Sequence, residues 1–230
     1  MSSINFIGGE KGGVGKSVTA RVLAQYFIDH SRPFTGFDTD RSHSSFTRFY
    51  EGFASPVVVD SFEGLDTVVN GFETNPQQSV IVDLAAQTLA PLARWIKESD
   101  LFDVFAEIGV TVNFWHVLDD GKDSTDLLGT LIDTFGNRPN YIVVQNYGRG
   151  SDFGMLLGSQ SLSKATANGA RVIALPRLHD ASMRKIDAQN TSFWKAVHDR
   201  DGPHALGLLE RQRVKSWLAT AYAAFDTLPL

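Results

Sequence analysis

The residues best equipped for chemistry lie near the N-terminus, where Ile4-Asn5-Phe6-Ile7 runs into Gly8-Gly9-Glu10-Lys11-Gly12-Gly13-Val14-Gly15-Lys16-Ser17. Glycines permit tight turns and close backbone approach. The N–H groups of Gly12, Gly13, Val14, Gly15, Lys16, Ser17 and Val18 could therefore surround phosphate oxygens at the positive end of a following helix. Lys16 is placed to reach the β- and γ-phosphates, and the Ser17 hydroxyl to ligate Mg²⁺. The competing reading is a glycine-rich turn that binds nothing. A strict G-x-x-x-x-G-K-[ST] pattern asks for glycine at position 10, where this chain has Glu10 followed by a second lysine, Lys11.

Two further sets of acids stand at strand ends. Asp38 and Asp40, spaced by one, follow Phe34–Phe37, the place where ligands of α/β sheets bind. They could equally cap a turn. Asp83 ends the apolar run Ser79-Val80-Ile81-Val82, the form in which a carboxylate holds Mg²⁺ directly or through water. Its alternative role is to cap the next helix.

These residues need a scaffold of alternating elements. Short apolar runs predict strands at 4–8, 34–37, 56–59, 79–82, 110–117, 141–145 and 171–175. Val57-Val58-Val59, Val80-Ile81-Val82 and Ile142-Val143-Val144 are nearly continuous and β-branched, as strands covered on both faces are. Helical stretches fall between them at 15–30, 62–70, 89–108, 124–135, 153–168, 181–199 and 207–225. The alternation predicts an α/β fold, a doubly wound and mostly parallel sheet flanked by helices. No linker-like stretch divides the chain, so residues 1–230 read as a single domain.

The string from Lys11 to Ser17 resembles the deviant Walker A loop of the ParA/MinD family of P-loop ATPases. The resemblance is specific over residues 4–25 and weaker, though correctly ordered, to about residue 180. It implies ATP/ADP and Mg²⁺ as cofactors, with Lys16 acting in cis and Lys11 reaching across a nucleotide-dependent homodimer to the partner's ATP. It also makes Asp40 the residue that positions the attacking water, with Asp38 in a supporting or metal-linked role. Arg41-Ser42 stand where the family usually has Pro-Gln, and Leu84-Ala85-Ala86 where it often has Pro or Gly. Asn146 matches a family asparagine that hydrogen-bonds adenine, and an amide offers both a donor and an acceptor. Pro176 and Arg177 match the segment lining the base site, while Asn146-Tyr147-Gly148 could equally be a turn.

The resemblance implies a slow ATPase switch in plasmid or chromosome partition or intracellular positioning, with a ParB-like or other stimulating partner. A plasmid-transfer accessory ATPase is compatible with the same residues. The alternative enzyme is a carboxylate-activating ligase or amidotransferase of the dethiobiotin and cobyrinate synthetase group, against which Lys11 argues.

Composition closes other routes. The chain has 230 residues, no cysteine and a net charge of −5. Thiolate zinc sites, iron–sulfur clusters and cysteine nucleophiles are thereby excluded. Neither H-E-x-x-H nor G-x-S-x-G occurs. A non-specific DNA contact would need a local patch, for which Arg184, Lys185, Arg211, Arg213 and Lys215 are candidates. The C-terminal stripe of Val214, Trp217, Leu218, Ala221, Tyr222 and Phe225 suits a helix packed on the core better than a membrane anchor. Without a signal-like N-terminus or a long apolar run, a cytoplasmic location is expected.

Overall fold

The computed structural model describes residues 2–203 and 205–230, so Met1 and His204 lie outside the described residues. Seven strands form one sheet: β1 (Ser3–Gly8), β2 (Phe34–Asp38), β3 (Ala54–Pro56), β4 (Ser79–Asp83), β5 (Thr111–Leu118), β6 (Asn140–Asn146) and β7 (Arg171–Leu175). Their spatial order is β3-β2-β4-β1-β5-β6-β7, and every pairing is parallel.

The central strands are largely apolar because both faces are covered. Ile7, Ile81, Trp115 and Ile142 point into one core, whereas Phe6, Val80, Phe114 and Val143 point into the other. The first core is closed by helices α1 (Lys16–Asp29), α2 (Ser45–Phe49), α9 (Asp180–Ala188), α10 (Phe193–His198) and α11 (Leu208–Phe225). The second is closed by α3 (Phe62–Thr74), α4 (Leu89–Glu98), α5 (Leu101–Glu107), α6 (Lys122–Phe135), α7 (Gly154–Leu157) and α8 (Gln160–Ala167). Alternation of side chains along a strand feeds both cores at once.

The expected α/β architecture is present, with four local corrections. The stretch 89–108 is two helices, broken where Asp100 takes a left-handed φ of 47°. The stretch 181–199 also divides, at Asn190 with φ 47°, and Ser192 caps the new helix by accepting from Lys195 N. In 153–168 the chain leaves α7 at Gly158, and Ser159 caps α8 through Leu162 N. The edge strand expected at 56–59 is instead Ala54–Pro56, so Val57-Val58-Val59 lies beyond it, and Pro56 pairs with Asp38 where β2 itself ends. Proline at an edge strand is tolerated because no ladder partner needs its missing N–H. The five-residue α2 was not expected at all.

One polar row crosses the sheet near the N-terminal ends of its strands. Asn5 donates to Val80 O (3.2 Å) and to Ser3 Oγ (3.0 Å), and its Oδ1 accepts from Asn113 Nδ2 (3.0 Å) and Trp115 Nε1 (3.1 Å). Asn140 continues the row by donating to Asn113 Oδ1 (3.0 Å). Asn5 and Asn113 are fully buried, and buried amides persist when their groups are paired.

The C-terminal helix α11 packs on the core through Val214, Trp217, Leu218, Ala221 and Phe225, as its stripe predicts. Tyr222 ties it to α1 by donating to Asp29 Oδ2 (2.7 Å). Among the described residues, no helix is long and apolar enough to cross a membrane.

Candidate nucleotide site

The carboxyl ends of β1, β2, β4, β5 and β6 converge on the loop between β1 and α1. Within that loop Gly15 has φ 100°, and a Cβ there would lie 2.1 Å from Asn146 Nδ2, so only glycine fits. Gly12 and Gly13 are exposed, and a Cβ on either would meet nothing within 4 Å. No packing inside the chain fills the space over these two backbones. The Lys16 side chain is buried, and Nζ donates to Lys11 O (2.9 Å). Burial lowers its pKa, against the opposing pull of Asp83, Glu10 and Asp40.

Asp83 is the most unusual group in the molecule. Its side chain is 1% exposed, and among the described residues neither carboxylate oxygen has a well-formed hydrogen bond, with the Ser17 hydroxyl its neighbouring donor. Burial pushes its pKa up to about 8, Asp38 adds to the rise, and Ser17 and Lys16 oppose it. A buried carboxylate left without donors is costly, and a cation brought beside it removes that cost. The residues around it therefore fit a divalent metal shared with the Ser17 hydroxyl.

Asp38 is differently placed. Its Oδ2 accepts from Phe46 N (2.8 Å) and Thr47 N (3.1 Å), and its Oδ1 from Asp40 N (2.9 Å). Burial raises its pKa while those N–H bonds oppose the rise. It caps α2 from eight residues away, which explains why that helix carried no local start signal. Asp40 accepts from Ser42 N (2.9 Å) and His43 N (3.2 Å), and His43 Nδ1 lies 3.2 Å from its Oδ2. Burial acts to raise the Asp40 pKa, but these contacts outweigh it and the net shift is downward.

Several contacts that no motif announces tie the loops together. The Glu10 carboxylate accepts from Thr88 N (3.1 Å) and Leu89 N (2.9 Å), so the unexpected residue of the glycine loop caps α4. Thr39 Oγ1 donates to Asp83 O (3.2 Å) and accepts from Ala85 N (2.7 Å), joining the loops after β2 and β4. Lys11 Nζ makes an ion pair with Asp119 Oδ2 (2.8 Å), which raises its pKa. Asp119 is itself fixed by Ser124 Oγ (2.6 Å) and Gly121 N (3.2 Å).

A cavity of about 340 Å³ opens beside the loop, lined by Val18, Asn146, Pro176, Arg177, Asp187 and Trp217. The first four were singled out by sequence as site residues; Asp187 was not, and Trp217 was read only as part of the C-terminal core stripe. Asn146 donates to Val14 O (2.7 Å) and accepts from Gly148 N (2.9 Å), which still leaves one N–H and one lone pair. The Pro176 carbonyl accepts from Trp217 Nε1 (2.6 Å), and Arg177 pairs with Asp180 (2.7 Å).

The same architecture is found in known proteins. The chain superposes on the MinD cell division protein of Aquifex aeolicus with a TM-score of 0.54 at 14% identity, covering 96% of this chain and 97% of that one. On the MinC:MinD cell division protein complex of that organism the TM-score is 0.56 at 13% identity, with 99% and 98% covered. The fold is that of MinD. The chain thus shares the parallel, helix-flanked sheet of MinD, and its glycine loop and Asp83 lie at one end of that sheet. No protein-family profile matches the chain. In sequence it is similar to Protein MobD of Acidithiobacillus ferrooxidans, 24% identical over 200 residues and covering 86% of this chain and 87% of MobD. It is also 24% identical over 229 residues to Protein TraL of Escherichia coli, with 94% and 93% covered.

Proposed function

We propose that the protein binds ATP with Mg²⁺, hydrolyses it slowly, and uses the nucleotide to switch between a monomer and a face-to-face homodimer. The observation that supports this reading is the buried Asp83 carboxylate, without a well-formed hydrogen bond, beside Lys16 and Ser17 and near the backbones of Gly12 and Gly13, over which no described residue packs. Bound Mg²⁺ would supply charge neutralisation at the phosphates. Ser17 and Asp83 would hold it; Asp38, with its oxygens already taken by backbone N–H groups, supports it by shaping the loop.

The chain's own groups have distinct tasks. Backbone N–H groups from Gly12 to Val18 and the Lys16 ammonium bind and orient the phosphates. Asp40 orients the water, and Asn146 with Pro176 and Arg177 bounds the base. Lys11 is engaged with Asp119 of its own chain, so its action on a second subunit's nucleotide requires that ion pair to open. Cations placed beforehand around a transferring phosphoryl group stabilise its developing charge. In the cell such a switch would position a cargo such as a plasmid and answer to a stimulating partner protein.

Size-exclusion chromatography with light scattering tests the reading on wild type and Lys11→Ala, each without nucleotide, with ADP, and with ATP plus Mg²⁺. Conversion of wild type to a dimer by ATP alone, absent in Lys11→Ala, is expected. An oligomeric state indifferent to nucleotide would refute the switch.

A further inference from the structure

Asp187, in the last turn of α9, brings a carboxylate to the wall of the cavity beside Asn146 and Pro176. Its side chain is half exposed, and among the described residues its one hydrogen-bond partner is Arg21, whose Nη1 lies 3.1 Å from Oδ1. Arg21 stands in α1 one turn after Ser17 and is only 3% exposed. Its guanidinium sits 3.6 Å over the Phe49 ring and 4.8 Å from that of Phe193, while Nε and Nη2 have no partner.

A buried guanidinium with one hydrogen bond is an expensive way to fill space between two phenylalanines, since an apolar side chain would pack there at lower cost. What the charge accomplishes is outside the core, where it holds Asp187 at the cavity wall. The other acid of the cavity, Asp180, is tied up by Arg177 through both of its oxygens. Asp187 keeps Oδ2 free. An ionised carboxylate only accepts hydrogen bonds, so it repels phosphate and favours the neutral, donor-bearing end of a nucleotide.

We propose that Asp187 reads the nucleoside by accepting a hydrogen bond from a nucleoside N–H or O–H donor, and that Arg21 is its positioning residue. The inference rests on the nucleotide-binding reading above and adds to it the group that discriminates at the nucleoside end. The donor is either an exocyclic amino group of the base or a ribose hydroxyl.

The test is calorimetric titration of wild type, Asp187→Ala, Arg21→Met and the double variant. The probes are ATP, purine riboside triphosphate (no exocyclic amino group), 2′,3′-dideoxy-ATP (no ribose hydroxyls) and inorganic tripolyphosphate. Wild type should bind one analogue about tenfold or more weakly than ATP, as loss of a charged hydrogen bond implies. The analogue affected identifies the donor. Asp187→Ala should bind ATP as weakly as wild type binds that analogue, with tripolyphosphate affinity unchanged. Arg21→Met should repeat the pattern, and the double variant should lose nothing more.

Wild type treating both analogues like ATP, or Asp187→Ala keeping the discrimination, would overturn the proposal. Arg21→Met discriminating as wild type does would remove Arg21 from it. Should Arg21→Met fail to fold, Asp187→Ala decides the matter, because its site is half exposed. Wild type binding neither ATP nor tripolyphosphate would instead overturn the phosphate-loop reading itself.

Discussion

Lys16 and Asp83 face the same proposed phosphate site with opposite needs, and their substitutions should separate cleanly. Lys16→Ala should lower ATP affinity by about 100-fold, the scale of lost charge-assisted hydrogen bonds, which equilibrium binding with a fluorescent analogue would measure. Asp83→Asn should stabilise the nucleotide-free protein by about 2 kcal/mol near neutral pH, because it removes a carboxyl that must either take up a proton or bury its charge on folding. The same variant should lose the Mg²⁺ dependence of nucleotide binding; thermal unfolding with and without Mg²⁺-nucleotide reads both effects. Asp40→Ala should retain ATP and cut turnover by about tenfold or more, as measured by phosphate release. The residues just named were legible in the sequence because each belongs to a short string with a chemical reason for its spacing. Asp119, Asp187 and Trp217 were not. They meet Lys11, Arg21 and Pro176 across 108, 166 and 41 positions, and an acid on a helix reads locally as a solvated side chain.

At the scale of elements, the glycine loop and the loop after β4 are joined by the cap that Glu10 places on α4. Glu10→Ala should therefore cost about 1 kcal/mol, the usual size of an N-cap, with Glu10→Gln retaining part of it. Urea unfolding at constant m value measures this, and an unchanged midpoint in Glu10→Ala would show that the cap contributes nothing. Six of the seven strands were recognisable as short apolar runs, but Val57-Val58-Val59 was misleading, because that run lies just past β3 and belongs to no strand. Helix breaks were harder. Asp100 and Asn190 terminate helices by adopting a left-handed conformation, which composition does not distinguish from an ordinary polar helix position. The helix α2 stayed hidden because its cap, Asp38, arrives from the end of β2 rather than from the residue before it.

Over the whole molecule, one titration should mark acid stability. His116 is buried in β5, with Nε2 2.9 Å from Ser124 O, and burial depresses its pKa from 6.5 to about 4. The neutral ring is the folded form, so its contribution is complete above pH 6.5 and disappears as pH falls toward 4. That swing is on the order of 3 kcal/mol, and denaturation midpoints from pH 7 to pH 4 should be flatter in His116→Gln. The row of amides from Asn5 to Asn140 acts at the same scale, at the opposite end of the sheet from the phosphate loop. Parallel strands of nearly uniform apolar character could slip by two residues and still keep each side chain on its proper face. Such a slip would displace a strand end by about 7 Å. The amides oppose it, because a slipped Asn5 would stand level with Thr111 or Trp115 in β5 instead of Asn113, and the amide-to-amide hydrogen bond would be lost. In the present alignment Ile7 stands level with Asp83, and Gly8 with His116. The amide row is thus a gauge, and the glycine-loop end of the sheet inherits its tolerance from side chains that stand at the other end.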